Sequence, residues 1–168
     1  MNPSFELAVR SLLIGAGATL AIDSWAAVLR RFGIPSLRIE LLGRWIGHLP
    51  RGRWRHEDIA RTAPVRAEAM LGWGAHYAIG VSFAALLLVW TGLGWARSPT
   101  LLPALCVGVV TVLCPWFVLQ PAIGAGIASS KTRNPVRNAL KSLLTHTVFG
   151  IGLFLAAHAT APLLTAGR

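Results

Sequence analysis

Four apolar segments decide what this chain can fold into. Near residues 7–29, 69–90, 100–120 and 139–163 the sequence carries almost no charge. Each run approaches or exceeds the roughly 20 helical residues that cross a hydrocarbon core of about 30 Å. Composition agrees: 54% of the residues are hydrophobic and 13% charged, with a mean hydropathy of +0.59, whereas soluble domains are about a quarter charged. The expected fold is all-α, an integral membrane four-helix bundle forming a single domain over residues 1–168. The first segment has no small-residue cleavage site after a short apolar core, and it holds Asp23 in its second half. It is expected to remain in the mature protein.

The 16 Lys and Arg against 6 acidic residues would suit nucleic acid, but their placement argues for topology instead. Thirteen of the sixteen lie in the connections 30–66 and 121–138 or at Lys141, just inside the fourth segment. Arg10, Arg97 and Arg168 alone belong to the other side. The positive-inside rule then puts both basic connections in the cytoplasm and both termini outside. The expected partner is the lipid bilayer, with anionic lipid at the basic surface, and no nucleic acid.

Between helices one and two, SLRIELLGRWIGHL sets Leu37, Leu41, Trp45, Ile46 and Leu49 against Arg38, Glu40, Arg44 and His48. This reads as a short amphipathic helix lying on the inner surface, cations toward the headgroups. Arg51, Arg53 and Arg55 then alternate around Trp54, either in a membrane-anchoring loop or in a lid that binds an anion through guanidinium contacts. His48, His56, Glu57 and Asp58 are metal ligands by type, but no recognised spacing links them, and no metal is assigned.

The third segment breaks up at CPWFVLQPAIGAGIASSKTRNP. Pro115 and Pro121 lack a backbone donor and are expected to kink or end the helix. Gly124 and Gly126 suit close packing or a tight turn rather than a phosphate loop, since no strand precedes them. Broken backbone at membrane depth is tolerable only beside a protein-lined cavity.

Polar residues on the other helices converge on that level. In helix one, Ala16, Thr19, Asp23 and Ala27 share a face, and Asp23 lies about 10 Å inside the cytoplasmic end at 1.5 Å per residue. A carboxylate there must be paired, protonated or watered. Gly72, His76 and Gly80 form one stripe of helix two, and Ser142, His146 and Gly150 repeat it in helix four. Both histidines lie roughly 12–14 Å deep. The matching strings HYAIGV and HTVFGI suggest that helices one–two and three–four are parallel repeats with a site at their interface. The expected pocket is Asp23, His76, Gln120 and His146, walled by Gly72, Gly80, Pro115, Pro121, Gly124, Gly126 and Gly150. Each polar residue taken singly also fits an ordinary helix–helix hydrogen bond. His158 lies toward the outer side and is read as structural. Cys106 and Cys114, about 12 Å apart along one helix, cannot bridge and are read as small buried hydrophobes.

The strings HLPRGRWRHEDIA, GWGAHYAIGVSFAALL, QPAIGAGIASSKT and LTHTVFGIGLFLAA together resemble an uncharacterised bacterial family of small multi-pass membrane proteins, a domain of unknown function. QPAxGAG is the most specific of them. The resemblance implies a bacterial inner-membrane protein and carries no activity with it.

Three functional readings follow. In the first, a small permease-like or proton-handling protein couples protonation of Asp23, His76 and His146 to a ligand. In the second, His76 and His146 ligate one haem axially, which would colour the protein with a Soret band. In the third, the chain is an accessory or assembly subunit, or a homo-oligomer, whose small-residue faces meet foreign helices. No serine–histidine–acid or HExxH pattern supports an enzyme, and no catalytic residue is assigned.

Overall fold

A computed structural model describes residues 2–36 and 38–162. These form α1 (Pro3–Arg31), α2 (Ile39–His48), α3 (Glu68–Thr91), α4 (Leu93–Arg97), α5 (Leu101–Ala122) and α6 (Pro135–Thr160), with no strand among the described residues. Helices α1, α3, α5 and α6 are long and apolar enough to cross a membrane. Leu37 of the expected amphipathic helix, the end of the fourth segment at Leu163, and Arg168 lie outside the described residues.

Local sequence sets the ends of these helices. The Asn2 side chain accepts from the Ser4 amide at 2.9 Å and Pro3 opens α1, satisfying a donor that the helix start would leave orphaned. At the other end Gly33 takes φ +72° and the Ile34 amide returns to the Leu29 carbonyl, the glycine stop that left-handed backbone favours. Between the caps, only 22–28% of each helix's most apolar window is buried. Leu20, Leu86, Leu102, Phe117 and Leu155 point outward. An apolar surface on every side is what a lipid solvent tolerates and water does not.

α1 packs on α3 and on α6, and α6 packs on α5, whereas α3 meets α5 chiefly within Leu101–Val110. The buried core, including Ile14, Leu87, Leu88, Trp95 and Leu153, fills the end of the bundle remote from the basic connections. At that end Glu6 and Arg10 are buried. Arg10 donates from Nε to Glu6 at 2.9 Å and from Nη1 to the Ala96 carbonyl at 3.1 Å, and Arg97 donates to both Glu6 oxygens. Two of the three arginines counted as outer-side charges, Arg10 and Arg97, therefore tie α4 to α1 through one carboxylate. Their spacing held the clue, since Glu6 and Arg10 stand at i, i+4.

Two sequence expectations are sharpened. Of the two outcomes expected at Pro115, a kink or an end, the helix does not end there: after a turn at Thr111–Val112, α5 runs on to Ala122 through a π turn at Pro115–Leu119. With no N–H on Pro115, the Thr111 carbonyl accepts from Cys114 at 3.1 Å, and the Pro115 carbonyl accepts from Gln120 one residue later than in an α-helix. The proline is absorbed as a bulge. Nor does α2 turn all its cations toward headgroups, because Arg44 and His48 are buried. Gly43 and Gly72 meet at the crossing of α2 on α3, where a Cβ on Gly43 would overlap the Glu68 carbonyl and one on Gly72 the Ile39 carbonyl.

Candidate functional site

Below the packed core the helices part around a cavity of about 1180 Å³. Two glycine crossings set its roof. Gly15 of α1 lies against Gly80 and Val81 of α3, and Gly108 of α5 lies against Gly150 of α6, with no room for a Cβ at either contact. One turn from each crossing, toward the basic end, stands a histidine. The His76 Nε2 lies 3.0 Å from Asp23 Oδ1, and the neighbouring Tyr77 hydroxyl donates to Oδ2 at 2.9 Å. On the other side the Thr111 hydroxyl donates to the Gly108 carbonyl at 2.7 Å, so the 3.0 Å contact to His146 is a donation from its Nδ1 to Thr111. That assignment leaves the His146 Nε2 as an acceptor. In both halves the histidine bonds a side chain of the preceding long helix, His76 of α3 to Asp23 of α1 and His146 of α6 to Thr111 of α5.

Asp23, His76, Gln120, His146, Gly80 and Pro115 line this one cavity. Gln120 accepts from the Ser129 hydroxyl at 3.1 Å, which ties the end of α5 to the turn that follows. Gly150 sits behind the wall, packed on Leu105 and the Ala104 carbonyl. Gly72 faces α2, Pro121 lies in the last turn of α5 outside the cavity lining, and Gly124 and Gly126 belong to the connection after α5. Arg51, Arg53 and Arg55 are exposed and outside the cavity lining. Both cysteines are free and exposed rather than buried, and Cys114 borders the cavity. His158 is exposed, with its ring 6.0 Å from that of Phe154. Among the described residues no group of three or more His, Cys, Asp or Glu is placed to hold a metal ion.

Sequence reasoning missed Tyr77 and Thr111, and placed Thr19 on the face of Asp23 without giving it a bond. Tyr77 follows His76 directly, about 100° further round the helix at 3.6 residues per turn. A carboxylate between those two directions is reached by both. Thr19 and Thr111 lie one turn or less beyond Gly15 and Gly108, where each hydroxyl donates back to the glycine carbonyl.

The connection between α2 and α3 closes the basic end. Arg44 Nε and Nη2 donate to the two Glu68 oxygens at 2.8 Å each, and its Nη1 lies 3.0–3.3 Å from the carbonyls of Ile59, Ala60 and Thr62. One guanidinium thus gathers the loop and clamps it to the start of α3. The loop then rests on the turn after α5: the His56 amide donates to the Ala122 carbonyl at 2.8 Å and the Ile59 amide to the Ile123 carbonyl at 3.2 Å. Gly124, at φ +97°, makes the contact close enough, since any Cβ there would overlap the Glu57 carbonyl.

A family model described as a protein of unknown function, DUF2938, matches residues 12–160. The chain belongs to this family. The matched span takes in Asp23, His76, Tyr77, Thr111, His146 and the whole clamped loop, and begins after Glu6 and Arg10. No curated protein and no solved structure matches the chain.

The loop contact carries its own pH dependence. The Thr62 hydroxyl donates to the Asp58 carbonyl, so the His56 Nδ1 donates to Thr62 at 3.2 Å and its Nε2, buried and without a hydrogen-bond partner, is unprotonated. Burial, then the nearby His48, hold the His56 imidazole below its ordinary value of 6.5, outweighing the Arg53 backbone carbonyl, which favours the protonated ring, while the Arg53 guanidinium opposes it. The undocked loop therefore binds a proton that the docked loop refuses. Docking is fully favourable above pH 6.5 and weakens as pH falls from there through the lowered value. Amide exchange at His56 and Ile59 is expected to accelerate over that range, beyond the intrinsic pH effect on exchange, and His56→Gln to remove the added dependence.

Proposed function

We propose that this chain is a small membrane-spanning protein that handles protons through a cavity in the cytoplasmic half of the bilayer, binding its ligand there. Support for the setting comes from four apolar helices whose surfaces point mostly outward and from thirteen cations gathered at one end. The observation that carries the reading is the Asp23–His76–Tyr77 cluster inside that cavity.

Its geometry defines a proton path one bond long. Tyr77 donates to Oδ2 while His76 Nε2 faces Oδ1, so the proton that Asp23 and His76 share lies on the Oδ1–Nε2 contact. With Asp23 ionised, His76 donates from Nε2 and keeps Nδ1 as an acceptor. A proton arriving at Nδ1 makes an imidazolium beside a carboxylate, taking the pair from one net negative charge to none. The haem reading draws on the same wall, since both histidines line it. Each imidazole is already bonded to a side chain of the preceding long helix, however, and the proton reading uses those bonds as they stand.

Liposomes carrying the protein and an internal pH dye are expected to take up protons faster than empty ones under an imposed gradient. Asp23→Asn is expected to remove that excess, because the amide cannot hold the compensating charge. Equal uptake by variant and parent would overturn the proton role.

A further inference from the structure

The cavity has a chemical polarity that the proton reading does not use. Its mouth is lined by Arg30 at the end of α1, Arg38 before α2 and Lys141 on α6. Among the described residues the acid beside them is Glu40, which also lines the cavity and pairs with Arg38 at 3.9 Å at an exposed site; Arg30 donates to the Ser36 hydroxyl at 3.2 Å and Lys141 to the Pro35 carbonyl at 2.6 Å, so three cations face one carboxylate there. Deeper in, the lining turns apolar through Ile22, Ile79, Phe83, Val118 and Phe149, interrupted by the Asp23–His76 and His146 groups. The wall between α3 and α5 is the incomplete one, because those helices meet chiefly within Leu101–Val110 and separate beside the π turn. Ile79 and Val118, on either side of that gap, are both exposed.

We propose that this cavity takes a single anionic lipid, entering sideways between α3 and α5, its phosphate among Arg30, Arg38 and Lys141 and its chain against the apolar interior. The inference rests on the reading of the cavity as a binding site in the inner half of the bilayer. Charge complementarity fixes the headgroup, since phosphate is matched by guanidinium and ammonium donors. Level fixes the chain: Arg30 lies seven residues, roughly 10 Å, from Asp23 along α1, so a headgroup at the mouth sends its tail toward the bilayer centre. A small polar solute or free phosphate would leave the apolar wall in water, which the hydrophobic effect disfavours. At about 1180 Å³ the space also exceeds the usual 300–1,000 Å³ of small-molecule pockets.

Cys114 borders the cavity and reports its occupancy. In a Cys106→Ser background, alkylation of Cys114 by a water-soluble maleimide would be timed in phosphatidylcholine nanodiscs with and without added phosphatidate. Phosphatidate is expected to slow the reaction about tenfold, and Lys141→Gln or Arg30→Gln to restore most of the rate, as loss of one charge-assisted hydrogen bond weakens binding by about that factor. Inorganic phosphate in the buffer is expected to give no protection. Equal rates in the two kinds of disc, or protection by inorganic phosphate alone, would overturn the lipid while leaving an open cavity and the Asp23 experiment untouched. Failure of the reagent to reach Cys114 in either disc would overturn the binding cavity itself.

Discussion

Arg44→Met is expected to destabilise the protein by roughly 3 kcal/mol, the lower end of the range for removing one partner of a buried ion pair. The pair is not fully buried, with side-chain exposures of 11% for Arg44 and 18% for Glu68, which is why the lower end applies. The variant strands Glu68 at the start of α3 and withdraws the donor from three carbonyls, that of Ile59 at a buried contact and those of Ala60 and Thr62 at part-buried ones. Release should be local before it is global. Arg51, Arg53, Arg55 and Arg61 are exposed, so limited trypsin digestion should cut within the loop of the variant much faster than in the parent. Arg44→Lys keeps the charge but loses the two-pronged contact with the carboxylate, so it should fall between the two. A parent-like digestion rate in Arg44→Met would show that the loop is held by its seat on α5 rather than by the clamp.

The clamp illustrates what the sequence conceals. Arg44 reads as one cation among several on an amphipathic face, and nothing local distinguishes it from Arg38. Its partner lies 24 residues away across a loop, and Gly43–Gly72 contact, which brings α2 down onto α3, is equally non-local. Periodicity speaks for one helix at a time. The four long apolar helices were legible because length and uniform apolarity are both local properties. Asp23, His76 and His146 were legible for a different reason: counting residues inward from the charged ends gives depth, and depth is shared between helices even when direction is not. Direction was the missing coordinate. It separates Gly80, which borders the cavity, from Gly72, two turns away on the same stripe and facing α2. Pro115 shows a further limit, since a missing N–H predicts a defect without saying whether the backbone will stop or slip by one residue.

If glycine contacts position the two histidines, each crossing should control its own. Gly15→Ala places a Cβ into the backbone of α3 at Val81, with the Gly80 carbonyl 2.8 Å away, and backbone cannot rotate aside as a side chain can. Such overpacking costs about 1–3 kcal/mol, against which the better helix propensity of alanine returns roughly 0.5–1 kcal/mol. The larger consequence is positional: a displacement of α3 at Val81 reaches His76 five residues away and opens its 3.0 Å bond to Asp23. Proton uptake should then fall as in Asp23→Asn, although no titrating group has been touched. The His146–Thr111 bond, built on the separate Gly108–Gly150 contact, should survive. Gly108→Ala should do the reverse, disturbing His146 and sparing His76, and histidine imidazole resonances in labelled protein distinguish the two. Gly74→Ala supplies the control, because nothing stands within 4 Å of a Cβ there, and it should leave both resonances in place with a small gain in stability. Loss of both histidine environments from either crossing variant would mean that the bundle opens as one unit and that the two glycine contacts do not act separately.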